Sequence, residues 1–97
     1  MPTYISLVKW TDQGIRNVKE SPQRLDDFKK AVAAAGGKVT AFYLAMGRYD
    51  LVVIFELPSD EAAAAVMLGT GSRGSVHTET LKAFPEDRYR SIIAKVQ

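Results

Sequence analysis

Residues 46–50, Met46-Gly47-Arg48-Tyr49-Asp50, separate two apolar runs, Val39 to Ala45 and Leu51 to Leu57. Glycine adopts positive φ without the Cβ penalty of other residues, and two apolar runs joined by a short glycine-containing segment are typical of a β-hairpin. The pattern predicts a two-residue loop at Gly47-Arg48. Because Leu51 to Leu57 is apolar on both of its sides, we expect the second strand of the hairpin to be buried on both faces.

Outward from this hairpin, the chain alternates between strand and helix patterns. Ser21-Pro22 marks a helix start, Gly36-Gly37 a helix end, and Gly69 is expected to end a short alanine-rich helix. The segment from residue 11 to residue 20 is polar, with Gly14 near its middle, and no strand or helix is predicted for it. The predicted strands cover residues 3–10, 38–45, 49–57 and 75–83, and the predicted helices cover residues 22–35, 60–68 and 86–96.

This order of elements predicts an α+β, ferredoxin-like βαββαβ domain over residues 1–97, with a four-stranded antiparallel sheet and an added C-terminal helix. In that plan both main helices cover one face of the sheet. The tail helix is expected to bury its apolar stripe of Tyr89, Ile92, Ile93 and Val96. The other face of the sheet then needs a partner, and a chain of 97 residues gains stability by association. We therefore expect a homodimer, or a higher oligomer built from dimers.

The amino-acid composition excludes several classes of functional site. The chain has no cysteine, which excludes disulfides, thiolate nucleophiles and sulfur-ligated clusters. It has one histidine, so one protomer cannot form a metal site of several histidines. We expect neither a metal nor a cofactor. Thirteen basic and 11 acidic residues are scattered, so a nucleic-acid partner is not expected, and no membrane segment is predicted. A cytoplasmic protein is expected.

Motifs along nearly the whole chain resemble the GYD domain family. They are Trp10 to Asn17, Ser21-Pro22 with Arg24, Gly36-Gly37, Phe42-Tyr43, Gly47 to Asp50, and Thr78 to Leu81. The glycine, tyrosine and aspartate of the family name correspond to Gly47, Tyr49 and Asp50, with Arg48 inserted. The resemblance implies a dimeric α/β barrel, a fold whose members include cofactor-free monooxygenases, isomerases, haem enzymes and small-molecule sensors.

Polar-tipped side chains near the predicted strand ends suggest a pocket for a small organic molecule. The candidate ligand-binding residues are Trp10, Tyr43, Tyr49, Asp50 and His77. Asp50 is either a general base or a carboxylate that stabilises the turn through backbone N–H groups. His77 is either a second candidate base or a solvated strand residue, and Trp10 contacts either a ligand or the core.

Two rival functions stay open at this point. One is a cofactor-independent monooxygenase or isomerase in which Asp50 or His77 abstracts a proton, and the other is a purely structural or regulatory oligomer. Gly69 to Gly74 matches the letters G-x-G-x-x-G, but a dinucleotide site needs a strand before the glycines and a helix after them. We interpret this segment as a turn in which Arg73 can attract an anion.

Overall fold

The computed structural model describes residues 1–97. Its elements follow the predicted ferredoxin-like order, with one additional helix after the first strand. They are β1 (Thr3–Trp10), α1 (Asp12–Arg16), a 3₁₀ turn (Val18–Glu20), α2 (Ser21–Ala34), β2 (Lys38–Leu44), β3 (Leu51–Glu56), α3 (Asp60–Ser72), β4 (Val76–Ala83) and α4 (Glu86–Ala94).

The four strands form one antiparallel sheet in the order β2-β3-β1-β4. Residues directly opposite one another in antiparallel strands share a face, so Val8 lies on the same face as Leu51 and Thr78. Helices α2 and α3 pack on that face, where Phe28 and Ala63 join the buried core. The predicted α+β, ferredoxin-like arrangement is confirmed.

The core lies between β1, β3 and the two helices. Phe55 has no exposed surface, stacks on Tyr4 with ring centroids 5.6 Å apart, and meets the edge of Phe28 at 5.4 Å. Val32 of α2 is also fully buried. Such aromatic pairs add about 0.5–1.5 kcal/mol each beyond the burial of their surface.

The hairpin forms as predicted, but its loop is longer than two residues. The backbone N–H of Ala45 donates to the Asp50 carbonyl oxygen at 2.8 Å, and this bond closes a four-residue loop in which Gly47 has φ +119°. Strand β3 begins at Leu51 instead of residue 49, because Tyr49 lies in the loop. Gly47 has the positive φ expected of a glycine at this corner.

Residues 12–16 form a helix in a polar segment for which the sequence predicted neither a strand nor a helix. The Thr11 hydroxyl accepts a hydrogen bond from the Gly14 N–H at 3.1 Å and donates one to the Gly74 carbonyl at 2.6 Å. A Cβ on Gly14 would lie 2.0 Å from the Ser75 carbonyl oxygen. Helix α1 therefore depends on close contact with a distant segment, which local sequence does not reveal.

Helix α3 continues to Ser72, so the prediction that Gly69 ends it is wrong. A glycine inside a helix lowers the stability of that helix by about 1 kcal/mol relative to alanine, and α3 nevertheless contains both Gly69 and Gly71. The Thr70 hydroxyl donates to the Val66 carbonyl at 2.9 Å within this helix. Beyond the end of the helix, Gly74 has φ +84°. The G-x-G-x-x-G letters thus cover a helix C-terminus, which lacks the N–H groups that hold phosphates.

The second face of the sheet has no helix over it. The register places five half-buried or exposed apolar side chains on this face, which we call the open face: Ile5, Leu7, Val52, Ile54 and Leu81. The apolar side chains of the tail are also exposed. Helix α4 ends at Ala94 instead of residue 96, and Ile93 in the helix and Val96 beyond it retain 53% and 69% of their surface. The expectation that the tail helix buries its stripe is therefore wrong within one protomer. No helix has both the length and the apolar character needed to cross a membrane.

Candidate functional site

A cavity of about 120 Å³ lies between the sheet and helices α2 and α3, and we call it the sheet–helix cavity. Its floor comes from alternate residues of β1 and β3, which place Val8 and Val53 on the helix-covered face. The other residues that line it are Ser6, Trp10, Ser21, Arg24, Leu25, Asp27, Phe28, Phe42, Leu51, Met67, Thr70, Arg73, Ser75, Val76 and Thr78. The walls are mainly apolar, with a few polar groups, as is typical of small-molecule sites.

A shallower apolar depression of about 270 Å³ adjoins the cavity. The two share Trp10, Leu25 and Phe42, and the depression extends toward Val18 and Leu44. An enclosed cavity of about 150 Å³ is large enough for benzene. The sheet–helix cavity is somewhat smaller than this, but together with the adjoining depression it has room for roughly one ring with a substituent.

The indole nitrogen of Trp10 is the one buried side-chain polar atom without a hydrogen-bond partner in the protein. Trp10 is half-buried at the end of β1 and lines both the cavity and the depression. A buried donor that lacks an acceptor costs about 1–3 kcal/mol. Trp10 therefore contributes a wall to both concavities and carries a buried donor without a partner in the protein.

Asp50 connects the hairpin to Trp10. Its Oδ2 accepts a hydrogen bond from the Trp10 backbone N–H at 2.9 Å, while its own N–H donates to the Val8 carbonyl at 2.8 Å. The turn-stabilising interpretation expected backbone bonds near Gly47 and Arg48, but the amide that Asp50 binds belongs to β1. This geometry fits a positioning role at the strand end.

Two arginines lie at the edge of the sheet–helix cavity. Arg24 is half-buried on α2, and its guanidinium donates to the carbonyl oxygens of Asn17 at 3.1 Å and Gly14 at 3.3 Å. Arg73 is exposed at the C-terminus of α3. The ion pairs of the protein are Lys82 with Asp60 and Arg90 with Glu86, so neither cavity arginine is paired with a carboxylate.

The structure does not bring the five predicted ligand-binding residues to one pocket. Trp10 lines the sheet–helix cavity, whereas Tyr43 and His77 lie on the open face opposite Val52 and Lys9, and Asp50 binds backbone. Tyr43 retains 61% of its surface.

Tyr49 also belongs to the open side of the sheet. Its hydroxyl donates to Glu79 Oε2 at 2.6 Å, and Glu79 pairs with Leu7 on the open face. The hydrogen bond to this carboxylate raises the pKa of the Tyr49 phenol. Tyr49 therefore joins the hairpin loop to β4 and does not reach the sheet–helix cavity.

Sequence reasoning missed Phe42 and the role of Arg24. A register shift between Val39 and Ala41 places Val39 and Phe42 on the same face, although their spacing does not fit regular alternation. Arg24 precedes the core residue Phe28 by four positions, so both lie on one side of α2. That spacing was a signal in the sequence for a charged group next to the core.

A second polar cluster lies toward the other end of β1. The Tyr4 hydroxyl donates to Asp60 Oδ1 at 2.6 Å, and Lys82 Nζ donates to Asp60 Oδ2 at 3.0 Å. Burial, followed by the Asp60 carboxylate, raises the pKa of Tyr4 to about 12, and the hydrogen bonds from Tyr4 and Lys82 lower the pKa of Asp60. This cluster joins the start of α3 to the sheet and contains no cavity-lining residue.

The chain is similar in sequence and in structure to known proteins over most of its length. The chain is 37% identical over 86 residues to the glutamine synthetase and cystathionine beta-lyase binding protein of Thermus thermophilus, covering 88% of this chain and 90% of that one. The crystal structure of TTHA0845, also from Thermus thermophilus, is 29% identical, with a TM-score of 0.55 over 88% of this chain and 95% of that one.

A third similarity concerns the fold alone. The crystal structure of FFRP-DM1 aligns with a TM-score of 0.61 at 21% identity, over 87% of this chain and all of that one. The profile of the GYD domain family matches residues 4–93. The protein therefore belongs to the GYD domain family.

Proposed function

We propose that the protein is a cytoplasmic homodimer that binds a small organic molecule in the sheet–helix cavity. The observation that carries this proposal is that Trp10, whose Nε1 is buried and unpaired, lines a cavity of about 120 Å³. An acceptor atom on a ligand would satisfy the indole N–H, and the apolar walls would cover the rest of the molecule. Asp50 would act indirectly, by holding the backbone of Trp10 in place.

The open face supports the homodimer in this proposal. Ile5, Leu7, Val52, Ile54 and Leu81 would remain in water in a monomer, whereas two such faces packed at about 10 Å would cover one another. The cavity lies on the opposite side of the sheet, so sheet-to-sheet pairing leaves it accessible. Dimer formation and ligand binding then use different surfaces of one protomer.

A screen of metabolites tests ligand binding, with the melting temperature and the Trp10 fluorescence as readouts. A ligand at 100 times its dissociation constant adds about 2.7 kcal/mol to the apparent stability. Trp10→Phe keeps most of the aromatic surface but removes the indole N–H, so it should weaken binding and reduce the shift in melting temperature. Tyr43→Phe, on the open face, is the matched control.

Failure of the screen has a clear meaning. If no compound raises the melting temperature, or if Trp10→Phe and wild-type protein respond equally to every compound, the unpaired indole is not part of a binding site. A high-resolution structure with ordered water bonded to Trp10 Nε1 would lead to the same conclusion.

A second candidate function is binding to metabolic enzymes. The specific observation in its favour is the exposed stripe of α4, where Tyr89, Ile92 and Ile93 lie on one side of a helix without contacts to the core. A relative with 37% identity is named as a binding protein of glutamine synthetase and cystathionine beta-lyase. Amphipathic helices commonly bind partners through such a stripe.

Pull-down with purified glutamine synthetase and cystathionine beta-lyase tests this second candidate. Ile93→Lys should abolish capture, whereas Arg88→Gln on the same helix should retain it. Capture that is unaffected by Ile93→Lys would exclude α4 as the contact, and lack of capture by the wild-type protein would exclude this function for these two enzymes.

A further inference from the structure

We propose that the ligand of the sheet–helix cavity is an apolar molecule, about one ring in size, that carries a carboxylate. This inference rests on the proposed function and specifies its ligand class. Three features of the cavity wall carry it: two arginines without carboxylate partners, one buried indole N–H without an acceptor, and an apolar floor.

The first step concerns charge. Arg24 and Arg73 line the cavity, and Asp27 is the one carboxylate among the lining residues. Asp27 Oδ1 already accepts a hydrogen bond from Gln23 at 3.1 Å and pairs with no arginine. The wall therefore carries an excess of positive charge, which favours an anion over a cation or a neutral molecule.

The second step concerns the orientation of Arg24. Its bonds to the carbonyl oxygens of Gly14 and Asn17 hold the guanidinium in place without neutralising it. A guanidinium has five N–H donors, so these two bonds leave others for a ligand. Since the side chain is already ordered, binding loses less conformational entropy than binding to a free arginine would.

The third step concerns the kind of anion. Trp10 Nε1 is a single neutral donor, and Trp10 shares the cavity wall with the apolar side chains of Phe42, Leu51 and Val53. A carboxylate provides two acceptor oxygens, which allows one to face a guanidinium and the other a neutral N–H. Phosphate compounds usually bind where several backbone N–H groups converge, and the glycine-rich end of α3 does not provide such a site.

Phenylacetate and its neutral analogue phenylacetamide are matched probes for this inference, since they share a ring and differ in charge. Trp10 is the sole tryptophan, so ¹⁵N-labelled protein gives one indole N–H signal to follow. We expect phenylacetate to shift that signal and to bind about tenfold more tightly than phenylacetamide, which is the range for one charge-assisted hydrogen bond. Added salt should weaken the binding of phenylacetate alone.

Variants identify the groups that recognise the charge. Arg24→Gln should abolish most of the preference for phenylacetate, and Arg24→Lys should restore part of it. Arg73→Gln should reduce the preference about twofold to threefold, because an exposed charge is screened by water. Arg88→Gln, an exposed arginine on α4, is the control and should change nothing. Melting temperatures of the unliganded variants identify any loss of fold.

The outcomes separate this inference from the proposed function. If both probes shift the Trp10 signal with equal affinity, or if Arg24→Gln preserves the preference in a folded protein, the carboxylate assignment is wrong while ligand binding stands. If neither probe shifts the signal, the assignment is also wrong, and the metabolite screen alone then decides the proposed function.

Discussion

Asp50 Oδ2 lies 2.9 Å from the backbone nitrogen of Trp10, so the carboxylate that follows the hairpin loop holds the end of the neighbouring strand. The same residue donates its own N–H to the Val8 carbonyl and accepts the N–H of Ala45. One short segment thus joins three strands beside the sheet–helix cavity. This connection gives the aspartate of the GYD motif a structural role.

Replacement of Asp50 tests that connection. Asp50→Asn keeps an oxygen that can accept the Trp10 N–H, whereas Asp50→Ala leaves that amide without its acceptor. We expect Asp50→Ala to lower the free energy of unfolding by about 1.5–3 kcal/mol and Asp50→Asn to lower it by less. Denaturant unfolding followed by Trp10 fluorescence measures both. Equal losses of stability in the two variants would show that the negative charge of Asp50, and not its hydrogen bond to the Trp10 N–H, stabilises the fold.

Gly47→Val should destabilise the protein by about 1–3 kcal/mol more than Arg48→Ala. Gly47 has φ +119°, and a Cβ there would meet no atom within 4 Å, so the cost comes from the backbone alone. Gly69→Ala is the control, because Gly69 lies in a helix with open space around the added methyl group. This substitution should raise the free energy of unfolding by about 0.5–1 kcal/mol. Denaturant midpoints of the three variants test this, and equal stability of Gly47→Val and Arg48→Ala would contradict the positive φ.

Tyr4 should make the fold sensitive to alkali. Its pKa in the folded protein is raised to about 12 from an ordinary value of 10, so its stabilising contribution is complete below pH 10. As pH rises from 10 toward 12, the unfolded chain releases this proton more readily than the folded protein, and stability falls. Tyr4→Phe should be less stable at neutral pH but show a shallower alkaline decline. Parallel pH profiles for the two proteins would refute this.

Ile54→Lys should disrupt the proposed dimer. Ile54 is half-buried on the open face opposite Ile5, where a charge would be buried by a second sheet. Sedimentation should give a dimer for the wild-type protein and a monomer for Ile54→Lys, with folding checked by circular dichroism. Ala64→Lys, exposed on α3, should remain dimeric. A monomeric wild-type protein at micromolar concentration would remove the argument for pairing through the open face.

Local sequence was sufficient for the strands, the main helices and the hairpin. The apolar runs around Gly47 predicted β2 and β3, and Ser21-Pro22 with Gly36-Gly37 located the bounds of α2 to within one residue. These features depend on propensities and turn preferences that act over a few residues. The same reasoning failed for α1, which depends on contacts with the distant residues Gly74 and Ser75, and for the end of α3, which continues through Gly69 to Ser72.

The candidate site could not be predicted from local sequence, because its residues come from separate strands and helices. Alternation along β1 and β4 is predicted correctly, but only the register shows that Trp10 pairs with Val76, which puts His77 on the opposite face. The shift near Thr40 brings Phe42 to the cavity, and packing of α2 brings Arg24 there. Local patterns were enough to indicate which residues alternate and where the chain turns. The folded molecule was needed to show which of them meet, because strand register and helix packing depend on contacts between segments far apart in the chain.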